Sequence, residues 1–264
     1  MDHITPQDQQ RLGIAVEELE GQSFAMSVAA KVGMPVEALL HMLPDGARDK
    51  VSHAVDKALQ HCLKVALVGT SATPWKKAHT LTTAATGAIG GFFGITGLAV
   101  ELPVTTTVML HSIAEIARSH GEDLSRPESA LACLEVLALG AEGQRGEVVE
   151  SAYYATRAAL AQVTREAAAY VAQKGLAKEG APALVSFLAK IAARFGLEVT
   201  EKAAAQMVPI AGAVGGLALN VMFTHHYQRL AEGHFAVREL ERRYNPALIQ
   251  SEYARILAYR NSAD

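Results

Sequence analysis

The chain has 264 residues, of which 50% are hydrophobic, 19% are charged and only 6% are aromatic. This composition, rich in alanine and poor in aromatic residues, favours helices that pack through small side chains over a β-sandwich. The formal charge is −3, and the sequence has no basic stripe of the kind that nucleic-acid-binding proteins carry, so we predict no nucleic-acid partner. Cys62 and Cys133 lie too far apart in sequence for a metal-binding pair, and two cysteines argue against a disulfide framework.

The chain has no flexible linker, because no run of proline, serine or like charge exceeds a few residues. We therefore predict a single domain over residues 1–264. The N-terminus is polar and acidic, whereas a secretory signal needs a basic start followed by an apolar run. Together with the two cysteines, this predicts a cytoplasmic protein in a reducing compartment.

Helical spacing predominates along the chain. In the first half, helices are predicted over residues 5–19, 35–43, 48–68 and 104–120. Pro103 either breaks the chain or forms the first turn of the last of these helices. Ser125 and Glu128 match a capping box, which predicts another helix through Leu139. The second half is predicted to hold helices over 147–174 and 182–195, the latter ended by Gly196, then a long helix up to residue 244 and a short one over 249–259.

Two long stretches, residues 78–100 and 203–227, contain no lysine, arginine, aspartate or glutamate, and each carries a Gly-Ala-x-Gly-Gly run. The runs are either a degenerate internal repeat or two independent uses of glycine for packing. Glycines four residues apart leave a flat strip on a helix that another helix or a lipid chain can approach closely. We therefore predict an all-α fold with both glycine-rich segments packed centrally. The candidate packing residues for lipid or a partner are Gly87, Gly90, Gly91, Gly94, Gly212, Gly215 and Gly216.

Each segment is long enough to span a bilayer, which takes about 20 apolar residues. Several threonines in the first segment, Pro209 and Asn220 in the second, and few leucines in either argue against simple spanning. We expect instead a buried hairpin that contacts or partly enters a membrane. Trp75, Lys76 and Lys77 are candidate interfacial anchors; the alternative is that they form an ordinary solvated helix end.

Two predicted helices carry ionisable residues on one face. On the first, His111 and Glu115 lie one turn apart, and on the long C-terminal helix His226, His234 and Glu241 lie along an otherwise apolar line. A composite site across both helices would suit a metal-dependent hydrolase. The alternatives are hydrated surface residues on the first helix and hydrogen-bonded core histidines on the second.

The sequence contains no zincin, nucleophile-elbow, P-loop or dinucleotide-binding motif. We accordingly predict neither a cofactor nor a resident metal.

Five stretches carry a distinctive pattern in chain order. They are Gly33-Met34-Pro35-Val36-Glu37, then Thr105-Thr106-Thr107-x-Met109-Leu110-x-Ser112-Ile113-Ala114-Glu115-Ile116-Ala117-Arg118-x-x-Gly121-Glu122-Asp123-Leu124, then Cys133-Leu134-Glu135-Val136-x-Ala138-Leu139-Gly140, then Val208-Pro209-Ile210-x-Gly212-Ala213-Val214-Gly215-Gly216, and finally Gly233-His234-Phe235-x-Val237-Arg238-x-Leu240-Glu241-Arg242. Together they resemble the EcsC protein family over almost the whole chain. The resemblance implies a helical bacterial protein from a family named for a reading frame beside an ABC transporter, with no agreed catalytic residues. Members are sometimes labelled peptidases, but no peptidase motif occurs here.

The first functional hypothesis is a non-enzymatic accessory protein, peripheral at the inner face of the membrane, that contacts lipid or a membrane protein such as a transporter. The alternatives are the metal-dependent hydrolase and a soluble scaffold or regulator that binds a protein partner. The sequence leaves the oligomeric state open.

Overall fold

The computed structural model describes residues 3–68, 100–140, 151–175, 180–208 and 214–263. All regular secondary structure in these ranges is helical, which confirms the predicted all-α class. Gly215 and Gly216 lie in the first turn of a long helix. Eight other candidate packing or anchor residues lie outside the described ranges: Trp75, Lys76, Lys77, Gly87, Gly90, Gly91, Gly94 and Gly212.

The helices are numbered in chain order. The first five are α1 (Pro6–Leu19), α2 (Phe24–Val32), α3 (Val36–His41), α4 (Ala47–Val68) and α5 (100–119). They are followed by α6 (Pro127–Glu135), which continues as a 3₁₀ turn (Val136–Ala138), and by α7 (Ala152–Lys174), α8 (Pro182–Ala205), α9 (Val214–Arg243) and α10 (Pro246–Ala263). The predicted helices are therefore present in the described ranges, and Pro103 lies in the first described turn of α5 rather than at a break.

One helix, α2, was not predicted. Ser23 caps it by accepting a hydrogen bond from the Met26 amide at 3.3 Å, and Gly33 ends it in the left-handed conformation, with φ of 70°. Its buried residues, Phe24 and Val28, lie one turn apart on a helix of only nine residues. A segment this short carries too little periodic signal to be recognised from the sequence alone.

The predicted capping box at Ser125 is wrong. Its hydroxyl donates to the Asp123 carboxylate at 2.6 Å, and α6 begins after Arg126 without a side-chain cap. The Ser125 hydroxyl is therefore bonded within a local turn and does not cap α6.

The predicted end of α8 at Gly196 is also wrong, because the helix continues through this glycine to Ala205. A glycine within a helix costs about 1 kcal/mol relative to alanine. Burial of Val199 and of the alanines that follow offsets this cost, since the apolar face of α8 continues past Gly196.

A single hydrophobic core joins the described helices. Its largest side chains are aromatic and pack edge to face: Phe24 of α2 lies 4.9 Å from Phe223 of α9, and Tyr227 of α9 lies 5.7 Å from Phe195 of α8. Helix α9 therefore runs through the centre, with α1 along one side and α8 on another.

The close packing of α1 on α9 depends on Gly233. A Cβ atom at this position would lie 2.8 Å from Leu19 Cγ and 3.2 Å from the Ala15 carbonyl oxygen. The first distance is shorter than real Cβ contacts and the second is tighter than most of them, so a side chain here would push the two helices apart.

We predict that Gly233→Ala lowers the free energy of unfolding by about 1–3 kcal/mol, as overpacking does in other cores. Gly13→Ala on α1 is the matched control, since a Cβ there meets no atom within 4 Å and should be neutral or stabilising. Chemical denaturation of both variants measures the effect. Equal stability changes at the two positions would contradict the packing argument.

Candidate functional site

Helices α5 and α9 lie side by side and run in the same direction. The Gln228 amide donates to the Ser112 hydroxyl at 2.8 Å, and further along both helices His120 lies between Glu232 and Glu239, at 3.0 and 2.9 Å. The start of α5 therefore lies beside the early turns of α9. The C-terminal part of α8 lies at the same end of these two helices, where Lys202 contacts Glu101.

A buried ion pair joins α5 to α8. Lys202 Nζ donates to Glu101 Oε1 at 3.0 Å, and the two side chains are 0% and 3% exposed. The ammonium also lies 5.1 Å from the centre of the Phe223 ring. Burial lowers the pKa of Lys202, and Glu101 opposes this shift. The pair holds three helices together: the start of α5, the last turns of α8 and the early turns of α9.

A second buried carboxylate lies one turn before Lys202. Glu198 is 1% exposed, and its Oε2 lies 3.9 Å from His226 Nε2 on α9. Burial, with a smaller contribution from Arg229, lowers the pKa of His226 to about 4, so its imidazole is neutral at pH 7. Gly140 packs against both groups: a Cβ there would lie 2.9 Å from His226 Nε2 and 3.4 Å from Glu198 Cδ.

Asn220 adds an uncharged amide to this region. It is 0% exposed, and neither of its side-chain polar atoms has a hydrogen-bond partner among the described residues. The hydroxyls of Thr105 and Thr224 are buried in the same way. Buried amides and hydroxyls nearly always have hydrogen-bond partners. These three side chains are exceptions among the described residues of the core. We call Glu101, Glu198, Lys202, Asn220 and His226 the polar cluster.

The other half of α9 carries a different set of charges, each with a partner. Arg238 and Arg242 both bind Glu122, and Arg243 binds Asp8 at 2.9 Å. Burial alone would raise the pKa of Glu122, but Arg238, Ser129 and Arg242 lower it to about 2. This network fastens the second half of α9 to α1 and to the end of α5.

Two of the predicted site residues belong to this second region. Glu241 receives two hydrogen bonds from Arg157 of α7, at 2.8 and 2.9 Å, and one from the Tyr154 hydroxyl. His234 is 0% exposed and shares a hydrogen bond of 3.1 Å with the Tyr153 hydroxyl, and burial lowers the pKa of its imidazole well below the ordinary value. Both contacts join α9 to α7.

The remaining predicted pair lies on the outer side of α5. His111 is half-buried and donates from Nδ1 to the Thr107 carbonyl at 2.9 Å, while Glu115 is exposed. Of the five predicted residues, only His226 lies in the polar cluster. Among the described residues, no group of three or more histidine, cysteine, aspartate or glutamate side chains has the geometry to hold a metal ion.

Glu101, Glu198 and Lys202 were not among the predicted site residues, although two sequence signals point to them. Glu101 follows the first uncharged stretch directly, and Lys202 precedes the second. The apolar line of α8 also predicts their burial once the helix is extended past Gly196. Its residues are spaced three or four apart and face the core: Phe187, Ile191, Phe195, Glu198 and Lys202.

The opposite face of α8 lines an open cleft of about 510 Å³ against α3 and α4. Its floor is apolar and includes Val51, Val55 and Leu197, with Arg48 and Glu201 among its charged residues. An open apolar groove of this kind resembles a contact surface more than an enclosed catalytic pocket.

Most of the chain matches the model of one known protein family. The model of the EcsC protein family matches residues 68–240, about two thirds of the chain. The chain belongs to the EcsC family. No curated protein matches it, and no solved structure does.

The EcsC match includes every residue of the polar cluster and both glycine-rich segments. It leaves out α1, α2, α3 and α10, and all of α4 except its last residue. The polar cluster is therefore carried by the EcsC region itself rather than by the added helices.

We predict that removing one partner of the buried ion pair, by Glu101→Gln or Lys202→Met, lowers the free energy of unfolding by about 3–5 kcal/mol, because a lone charge stays buried. The double variant Glu101→Gln/Lys202→Met should be more stable than either single variant. Urea denaturation of all four proteins measures the coupling. Additive losses in the double variant would show that the two charges do not depend on each other.

A pH dependence follows from His226. Its pKa is about 4 in the folded chain, against 6.5 when unfolded, so between these values only the unfolded chain takes up the proton. The contribution of His226 to the free energy of unfolding is complete above pH 6.5. It is lost as the pH falls towards 4, which lowers the stability by about 3 kcal/mol. His226→Gln should flatten that decline, whereas His225→Gln, its exposed neighbour, should not. Identical pH profiles for the two variants would contradict the assignment.

Proposed function

We propose that the protein is a non-enzymatic, membrane-associated accessory protein of the EcsC family, in which the two glycine-rich segments contact lipid or a membrane protein. The helical bundle serves as the base that holds both segments. Association is peripheral, at the inner face of the membrane.

The observation that carries the proposal is where the two segments join the bundle. The first runs directly into the start of α5, and the second includes the end of α8 and the first half of α9. The contact between Glu101 and Lys202 brings the start of α5 and the end of α8 together. The point where the first segment joins α5 and the point where the chain leaves α8 therefore lie at the same end of the bundle, which suits joint contact with one apolar surface.

Within the described residues, no helix is both long and apolar enough to cross a membrane. We propose contact with a membrane surface or a membrane protein, through apolar area and close glycine packing.

The alternative of a metal-dependent hydrolase rests on the sequence pattern of His111, Glu115, His226, His234 and Glu241. In the structure, His226 faces Glu198, His234 faces Tyr153 and Glu241 binds Arg157. These separate partnerships favour the accessory role over the enzyme.

Vesicle flotation of the purified full chain, with vesicles of phosphatidylcholine and phosphatidylglycerol, tests the proposal. We expect the wild type to float and native mass spectrometry to detect bound lipid. Ile89→Asp should reduce flotation by about tenfold or more, because a buried carboxylate is costly in an apolar layer. Ile14→Asp is the matched control at an exposed position on α1 and should float like the wild type. A monomeric protein that carries no lipid and does not float would overturn the proposal.

A further inference from the structure

The solvent-facing side of α5 forms one stripe along the helix. Its residues are spaced three or four apart and are exposed, apart from the half-buried Thr107 and His111: Val100, Val104, Thr107, His111, Glu115 and Arg118. The stripe changes in character along its length, from apolar through histidine to charged. The only charged residue in its first three turns, Glu101, points inward to Lys202.

The outer face of α9 repeats the same order. Its stripe consists of Ala218, Val221, His225, Arg229 and Glu232, all of them exposed. No lysine, arginine, aspartate or glutamate occurs in α9 before Arg229. Two helices that lie side by side therefore change from apolar to charged in the same direction.

On both helices, the change from apolar to charged residues occurs at the same height along the helix axis. The contact between Ser112 and Gln228 shows how the two helices are aligned. His111 lies one residue before Ser112, and His225 lies three residues before Gln228. Because α5 and α9 run in the same direction, the two histidines differ in height by only about 3 Å. Val104 and Val221 both lie about two turns before the Ser112–Gln228 contact, on the apolar side of this boundary.

The threonine hydroxyl in the apolar part of this surface does not depend on water for a hydrogen bond. The Thr107 hydroxyl donates to the Pro103 carbonyl at 2.7 Å. Hydroxyls bonded to the preceding turn of their own helix can enter an apolar layer without losing a hydrogen bond. Val100 and Val104 in the same stripe are 72% and 37% exposed.

We propose that this face, formed by Val100, Val104, Ala218 and Val221, is a lipid-binding surface that enters the bilayer up to the level of His111 and His225. The inference rests on the membrane association proposed above and assigns it a surface and a depth. From Val100 to His111 the helix rises about 16 Å, and from Ala218 to His225 about 10 Å, so the surface reaches into one leaflet.

The order of residues along the two stripes indicates that this surface contacts a lipid bilayer rather than a protein. A protein partner places polar and apolar contacts according to its own shape, whereas a bilayer imposes one planar boundary on every helix that enters it. Two neighbouring stripes with their histidines at one level and their charges beyond it match a planar boundary. Both stripes also begin within the two uncharged stretches: Val100 ends the first, and Ala218, Val221 and His225 lie in the second.

Site-specific labelling tests the depth. A fluorescent label is placed on Val104→Cys or Val221→Cys, with Ser119→Cys beyond the boundary and Val185→Cys on α8 as exposed controls. Cys62 and Cys133 stay in place, since both are buried and burial raises the pKa of each thiol to about 12. With vesicles that contain brominated lipid, we expect quenching at residues 104 and 221 to be several-fold greater than at 119 and 185.

Substitution gives an independent readout. Val104→Asp should weaken vesicle binding by about tenfold, while Val185→Asp, the same change at another exposed valine, should leave it unchanged. If the wild type floats but all four labels are quenched equally, or if both aspartate variants bind alike, the assigned surface is wrong and the proposed function stands. If the wild type does not float, the proposed function itself is overturned. Loss of self-association in Val104→Asp, without any vesicle binding, would identify the surface as a contact between copies and overturn the inference.

Discussion

The contact between Glu101 and Lys202 constrains the rest of this structure. Neither charge is stable in an apolar core on its own, because each would lose its hydration without compensation. As a hydrogen-bonded pair they are tolerated, and the pair fixes where the start of α5 lies relative to the end of α8. Since Lys202 also lies over the Phe223 ring, the early turns of α9 are held at the same place. The positions at which both glycine-rich segments join the bundle follow from this single contact.

Helix α9 has two halves with different physical roles. Its second half is fixed by charges that have partners at the protein surface and beneath it, such as Arg238 with Glu122 and Glu241 with Arg157. Its first half buries Asn220 and brings His226 Nε2 to within 3.9 Å of the Glu198 carboxylate. The ion pairs of the second half hold it rigidly against the neighbouring helices, whereas the first half lies beside the helix ends that meet at Glu101 and Lys202.

Much of the fold could be predicted from the sequence, because amphipathic spacing is clear in α1, α4 and α5. The end of α8 could not, because Gly196 is a common stop signal and the burial that overrides it comes from helices distant in sequence. The polar cluster was missed for the same reason: Glu198 and Lys202 lie in the part of α8 beyond that glycine. Conversely, the face of α9 that carries His226, His234 and Glu241 was predicted, but its division into two regions depends on partners from α7 and α8. The roles of the glycines in residues 87–94 stay predictions, since these residues lie outside the described ranges.

Hydrogen exchange of the Lys202→Met variant, followed by mass spectrometry, tests most directly whether the buried ion pair holds this end of the bundle together. We expect faster exchange in three places, residues 100–106, 198–205 and 218–224, while residues 232–242 of α9 keep the protection of the wild type. Uniform acceleration along all of α9, or unchanged exchange at the start of α5, would contradict the claim that the contact between Glu101 and Lys202 fastens the start of α5 to the end of α8.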